Sequence, residues 1–397
     1  MTDSVNMREL VLALLLEITR DGEYSHIAIQ NVLGKYQYLE KRERAFITRV
    51  TEGTLERMIE LDYVIDQYSR VKVQKMKPVI RCILRSAVYE LKYMDAIPQS
   101  ATCNEAVKLA KKKGFGSLAG FVNGVLRNIG RNLSDISYPD EEKEPIKSLS
   151  VRYSTPEWMI EQWISEYGRE KTEEILRAFL EKTGISIRTN LVKNSPKELR
   201  KSLEAEGIAV RENREIPYAF YIEGVDYLQA LKSFQDGLFY VQDASSMKAV
   251  IEAAPKEGDY VIDVCAAPGG KSVHIAELMH GTGHVQARDL TEYKIGLIEQ
   301  NQKRCGISNL STLQWDARIR DASAVEKADI VIADLPCSGL GVMRKKKDIR
   351  FKMTPEKQRQ LAALQKEILH TVSEYVKPGG KLVYSTCTIS RKENEDN

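Results

Sequence analysis

Long apolar runs are missing from this 397-residue chain. None approaches the roughly 20 residues that a membrane-spanning helix needs, and the N-terminus, where Asp3 and Glu9 flank a short apolar stretch, lacks the layout of a secretory leader. Cysteines are few, six in all, and no two form a C-x-x-C pair or take metal-like spacing with the five histidines. That argues against a zinc site or a disulfide framework and leaves free thiols. Charge of one sign is not in excess either: 59 Lys and Arg face 56 Asp and Glu, so the net +3 selects no partner by itself. What is present, 43% hydrophobic and 29% charged residues, is ordinary for a globular protein with room for two or three domains. The expectation is a cytoplasmic protein that holds no metal and touches no membrane.

Residues 1–135 read as helices only. Leu10, Leu14 and Ile18 set one apolar stripe; Ile47, Val50 and Leu55 another; Ile80, Ile83, Leu84, Val88 and Leu91 a third; Val122, Val125, Leu126 and Ile129 a fourth. Such stripes predict an all-α bundle. Residues 136–150, with two prolines and an acidic run, read as a linker. From 151 to 235 the period changes, predicting a small α+β module with helices from Pro156 and from Arg169, then strands around Ile185–Thr189, Ile208–Val210 and Phe220–Ile222. Trp158, Trp163 and Tyr167 share a helical face there and read as core rather than as a base-stacking platform. Two basic clusters stand out: Lys108 with Lys111 to Lys113, and Arg344 to Lys347 followed by Arg350 and Lys352. Each is compatible with a solvated face; the second, directly after a Pro-Cys loop, is the better candidate for phosphate contact.

From 236 to 397 strands alternate with helices. Strands are predicted at Tyr260–Val264, Gly283–Arg288, Leu310–Gln314, Ile330–Ala333 and Gly380–Ser385, with a long helix over Pro355–Val376, which makes a Rossmann-like α/β domain with an open parallel sheet. Polar residues end each strand: Asp263 and the loop Cys265-Ala266-Ala267-Pro268-Gly269-Gly270-Lys271, then Asp289, Asp316, Asp334 and Cys337, and Cys387. In this architecture ligands sit outside the carboxyl ends of the strands. Asp289 is spaced to accept hydrogen bonds from ribose hydroxyls, and Asp316 is placed for an adenine amino group. Gly270-Lys271-Ser272 resembles the tail of a P-loop, but the glycine that loop requires falls at Cys265, whose Cβ obstructs a phosphate-wrapping backbone. Two thiols at matching strand ends, with Asp334 three residues before one of them, suit methylation at carbon 5 of a pyrimidine. That carbon becomes nucleophilic only after a thiolate adds to carbon 6.

Two resemblances follow. K-R-E-R-A-F (41–46), R-C-I-L-R-S-A-V-Y-E-L-K-Y-M (81–94), I-P-Q-S-A-T-C-N-E-A-V-K-L-A-K (97–111) and G-F-V-N-G-V-L-R-N-I (120–129) resemble the NusB-type helical RNA-binding domain. R-Y-S-T-P-E-W (152–158), Y-V-Q-D-A-S-S (240–246), D-V-C-A-A-P-G-G-K (263–271), A-D-L-P-C-S-G-L-G (333–341) and S-T-C-T (385–388) with Glu393 to Glu395 resemble the NOL1/NOP2/Sun family of RNA cytosine-5 methyltransferases. Within it, the resemblance is to bacterial members acting on small-subunit (16S) ribosomal RNA.

The resemblance implies a catalytic set of Cys387, Cys337 and Asp334: Cys387 as nucleophile on carbon 6, Cys337 assisting product release, and Asp334 bonding the cytosine. It implies S-adenosyl-L-methionine as methyl donor, held by Cys265, Ala266, Ala267, Pro268, Gly269, Gly270, Lys271, Asp289, Asp316 and Asp334. It implies RNA contact by the helical and α+β modules, with 16S ribosomal RNA, free or in an early small-subunit particle, as partner of a monomer. Methyltransferases of this class continue past the fifth strand into a last helix and an antiparallel hairpin, whereas this sequence ends at Asn397. An exposed sheet edge with lowered stability or activity is therefore expected. The alternative reading is an RNA-binding ribosome-assembly factor whose transferase domain is incomplete.

Overall fold

The computed structural model describes residues 5–181, 183–225 and 227–397. They form two bodies, Met1–Glu181 with Leu340–Thr354, and Lys182–Gly339 with Pro355–Asn397.

The first body is helical. Helices Met7–Thr19, Ser25–Lys35, Lys41–Glu56, Met58–Tyr68, Pro78–Tyr93, Gln99–Lys112 and Ala119–Arg131 enclose one apolar core built from the predicted stripes. Helix Pro78–Tyr93 starts on a proline, whose missing N–H costs nothing in a first turn, and buries Ile80, Ile83, Leu84, Val88 and Leu91. Gly53 lets helix Lys41–Glu56 approach it, because a Cβ there would lie 2.0 Å from the Tyr89 ring. Helices Pro145–Tyr153, Glu157–Tyr167 and Arg169–Ala178 join the same body. Trp163 is fully buried and meets Phe179 at 5.9 Å between ring centroids, as a core residue does.

The presumed linker 136–150 is not an unstructured tether. Tyr138 stacks on Tyr63, its hydroxyl lies 2.6 Å from Lys92 Nζ and donates to Glu60 at 3.1 Å, and Pro145 opens a helix. One tyrosine with an apolar body and a polar tip is enough to pin a segment whose composition is otherwise linker-like. Residues 340–354 also belong here. Arg350 is 1% exposed and donates to the carbonyls of Ser154 (2.9 Å) and Glu56 (3.2 Å), Lys347 pairs with Glu56, and Asp348 accepts from Ser25. Burial pulls the Arg350 guanidinium down to about 10. Lys347 and Arg350 of the second basic cluster are therefore committed to internal contacts.

The second body holds two sheets. β1 (Ile185–Thr189), β2 (Ala209–Glu212), β3 (Ala219–Glu223) and β4 (Phe239–Val241) pair antiparallel in the order β2-β3-β1-β4, with helix Pro196–Ala205 covering the face through Leu199 and Leu203. The expected boundary at 235/236 misses β4, which completes this small sheet by pairing Ile187 with Val241. The expected helices from 156 to 181 and these strands likewise fall into different bodies. Three-residue strands carry no periodic signal, so only the long-range pairing reveals β4.

The larger sheet comprises β5 (Tyr260–Asp263), β6 (His284–Asp289), β7 (Leu310–Gln314), β8 (Ala328–Asp334) and β9 (Val376–Ser385), all parallel, in the order β7-β6-β5-β8-β9. The order reverses between β5 and β8, which opens a crevice at their carboxyl ends. β9 begins earlier than expected, at Val376, so the preceding helix stops at Ser373. Arg188 of β1 and Glu277 of helix Gly270–Leu278 form an ion pair with both side chains fully buried, and Arg188 Nε donates to Gln242 at 2.8 Å. Removing either partner would strand a buried charge, so this pair fixes the small sheet to the helix that follows the β5 loop.

Candidate active site

Every strand end of the parallel sheet carries the polar residue predicted for it, and the rim divides into two halves. On one side β5 runs into the loop 264–269. Val264 N–H donates to Ile332 O (3.0 Å), Ala266 N–H to Arg288 O (2.9 Å) and Gly269 N–H to Ala266 O (2.7 Å), so the loop is knitted to its neighbours before helix Gly270–Leu278 starts. Gly269 has φ +101°, a left-handed value that only glycine adopts freely, and a Cβ on Gly270 would lie 3.4 Å from the Tyr240 ring. The Pro268 carbonyl accepts from Tyr240 Oη and Asn301 Nδ2, each at 3.0 Å. Tyr240 and Asn301 thus position the loop, although only Tyr240 lay in a motif visible in the sequence.

The acids on this side are partnered. Asp289, buried at the end of β6, accepts from Ala267 N–H (2.9 Å), Leu290 N–H (2.8 Å) and Lys294 Nζ (2.8 Å). Asp316, after β7, is clasped by Arg318 through Nη2 at 2.6 Å and Nε at 3.0 Å, which holds its carboxyl below the usual carboxylate range. Asp263 is 1% exposed, accepts from Ser272 Oγ at 2.6 Å, and is pushed up to about 7 by burial. Burial, with Asp289 and Asp263 nearby, pushes the Cys265 thiol up to about 12, so this cysteine is an inert member of the loop.

Lys271 joins the two halves. Its stem is buried and its Nζ lies 2.5 Å from Asp334 Oδ2, while Asp334 Oδ1 accepts from Ser385 Oγ at 2.8 Å. Beyond Asp334, at the ends of β8 and β9, Cys337 and Cys387 meet with their sulfurs 3.2 Å apart, and Cys387 N–H points at Cys337 Sγ at 3.2 Å. Both are free thiols, Cys387 exposed and Cys337 half-buried. The hydrogen bond with Cys387, followed by burial, pushes the Cys337 thiol well up, so Cys337 keeps its proton. A thiol that holds its proton beside a second, exposed thiol can donate a hydrogen bond to that sulfur.

Among the described residues no group of three His, Cys, Asp or Glu is placed to hold a metal ion, and no helix is long and apolar enough to cross a membrane.

Comparison with known proteins agrees with this layout. Family profiles match the NusB family over residues 5–131, the Methyltr_RsmF/B-like ferredoxin-like domain over 155–226, and the 16S rRNA methyltransferase RsmB/F over 250–397. The chain is 36% identical over 393 residues to the "Probable ribosomal RNA small subunit methyltransferase B" of Bacillus subtilis, covering 98% of this chain and 87% of that protein. It is 28% identical over 391 residues to ribosomal RNA small subunit methyltransferase B of Escherichia coli O1:K1, covering 98% and 88%. The crystal structure of PH0851 superposes with a TM-score of 0.84 at 27% identity, covering 99% of this chain and 88% of that one. The structure of NSun6 from Pyrococcus horikoshii with SFG superposes with a TM-score of 0.55 at 25% identity, covering 61% and 85%.

Proposed function

The chain belongs to the RsmB/F family of small-subunit ribosomal RNA methyltransferases, and from that premise we propose that it methylates carbon 5 of a cytosine in 16S ribosomal RNA through a covalent Cys387 adduct. The observation that carries the reading is the 3.2 Å approach of Cys337 and Cys387 beside Asp334. S-adenosyl-L-methionine suits the other half of the rim, since the loop from Cys265 to Gly270 is built of small residues, with Gly269 at φ +101°, that let a ligand approach its backbone, and Asp289 offers a carboxylate for hydroxyl donors. Cys265 to Lys271, Asp289, Asp316 and Asp334 would hold the donor, which when bound supplies an electrophilic methyl group.

The chain's own residues do the rest. A cytosine is swung out of its stack, since an enzyme cannot reach carbon 6 within one. Asp334, steadied by Lys271 and Ser385, accepts from the cytosine amino group and holds the base, while the Lys271 ammonium beside it offsets the negative charge that develops across the ring. Cys387 attacks carbon 6 as the thiolate while Cys337 keeps its proton and donates to it. This sulfur–carbon bond places an electron pair on carbon 5, which takes up the methyl group. A base takes the carbon 5 proton, and the electron pair left behind restores the double bond and expels Cys387 as thiolate, with Cys337 assisting release.

Incubation with labelled S-adenosyl-L-methionine and unmodified small-subunit RNA, followed by mapping of 5-methylcytosine, tests the reaction. Cys337→Ala should accumulate a protein–RNA adduct that survives denaturing gels, and Cys387→Ala should yield neither adduct nor product. Turnover by Cys387→Ala would overturn the role given to Cys387.

A further inference from the structure

The loops that carry Cys337 and Cys387 come from strand ends about fifty residues apart in the chain, yet their sulfurs lie 3.2 Å from each other. Something must hold that distance, because neither loop is regular structure and Cys387 itself is exposed. Behind the thiols lies a buried polar knot. Glu393, on the short turn Arg391–Glu393, has no solvent exposure. Its Oε2 accepts from Ser338 N–H at 2.8 Å and from Gln365 Nε2 at 3.1 Å, and its Oε1 accepts from Ser338 Oγ. Ser338 is the residue after Cys337, and its hydroxyl also lies 2.8 Å from Thr388 Oγ1, the residue after Cys387. Gln365 Nε2 donates at 2.8 Å to the carbonyl of Pro336, the residue before Cys337. Asn394, next to Glu393, closes the other loop: its Oδ1 accepts from Thr386 Oγ1 at 2.6 Å and its Nδ2 donates to Thr388 O at 3.2 Å. The residues on both sides of each thiol are therefore tied to one carboxylate and its neighbour.

The geometry points to Glu393 as a positioning residue that clamps the two cysteine loops at working distance, acting through Ser338 and Gln365 without touching the substrate. A fully buried carboxylate partnered by hydroxyl, amide and backbone donors rather than by a cation is expensive to keep. Here two of its bonds come from Ser338, the residue after Cys337, and the third from Gln365, which also holds the carbonyl of the residue before Cys337, and that convergence marks a clamp rather than general packing. The inference rests on the cysteine chemistry proposed above.

The test is made on the full chain with a thiol-bridging fluorogenic reagent such as dibromobimane, which lights up only when two nearby thiols are alkylated together. Wild type should bridge Cys337 and Cys387, identified by peptide mapping. Glu393→Ala should bridge at least about tenfold more slowly and lose about a hundredfold in kcat, the scale on which misplacement by about 1 Å costs rate. Its KM for RNA and its S-adenosyl-L-methionine affinity should stay within about twofold. Glu393→Gln, able to accept but not to bond every donor, should fall between. If Glu393→Ala does not fold, Ser338→Ala, which removes only the hydroxyl bonds, should still slow bridging and lower kcat. Bridging and kcat at wild-type level in folded Glu393→Ala, or in Ser338→Ala if the former does not fold, would overturn the clamp while leaving the reaction intact. Turnover by Cys387→Ala would overturn the reaction and leave the bridging measurement free to report on the clamp.

Discussion

The Gly-loop half and the thiol half of the rim are held in opposite ways. Around the Gly loop, two acids are closed by cations that solvent reaches: Lys294 on Asp289, with 44% of its side chain exposed, and Arg318 on Asp316, with 48%. Around the thiols, one acid is closed by uncharged donors that solvent does not reach: Glu393, Gln365 and Ser338 are at most 2% exposed. The cations stand at the solvent edge of these pairs, so the first half can trade them for a ligand. Buried neutral donors do not exchange, so the second half is set before any ligand arrives. The reaction proposed above, which binds and releases one small molecule per cycle yet holds two sulfurs in register throughout, would be served by this division.

The residues that join the halves give the sharpest way to break the comparison. Asp334→Ala should lower kcat by about 10²–10³, the usual cost of removing one preorganised polar group, and Lys271→Ala by a similar factor. The double variant should lose little more than either alone, because the two side chains act as a unit, and single-turnover kinetics reads this. A second effect separates the halves by pH. Asp263 is pushed up to about 7 from an ordinary 3.8, so the stability its neutral form contributes is fully present below about pH 4 and is lost as pH rises through about 7. Denaturant titrations across that window should show wild type losing on the order of a few kcal/mol, and Asp263→Asn should flatten the profile.

Smaller effects sharpen the contrast. Asp289→Ala should raise the dissociation constant for S-adenosyl-L-methionine by roughly 10–100-fold, as expected for bonds to a charged acceptor, with the thiol-bridging rate unchanged. Lys294→Met should shift that constant by no more than about threefold, as removal of an exposed cation does, and calorimetry resolves it. A large loss on Lys294→Met would mean that the cation belongs to the ligand site rather than guarding it.

The sequence shows the two halves unequally. Strand ends and their acids were legible because strand, loop and helix follow one another locally, and β7 falls on Leu310–Gln314 as predicted. Their partners were not. Lys294 follows Asp289 by five residues and Arg318 follows Asp316 by two, yet no periodicity or motif marks either as a partner. Glu393 stood in a visible motif, but its bond to Ser338 spans 55 residues and leaves no periodic trace. Arg188 and Glu277 carry no sign in the sequence that both are fully buried and paired. The basic run from Arg344 is the better candidate for phosphate contact by its place after the Pro-Cys loop, whereas Arg350 is spent on the carbonyls of Ser154 and Glu56.

That last segment has a consequence for synthesis. The chain leaves the second body after Gly339, gives Leu340–Thr354 to the helical body, and returns at Pro355. A polypeptide emerging from the ribosome in order can fold its helical bundle early, but the receptor sites at Ser25, Glu56 and Ser154 stay unfilled until Asp348, Lys347 and Arg350 have been made. The first part of the protein to be born is thus among the last to be finished.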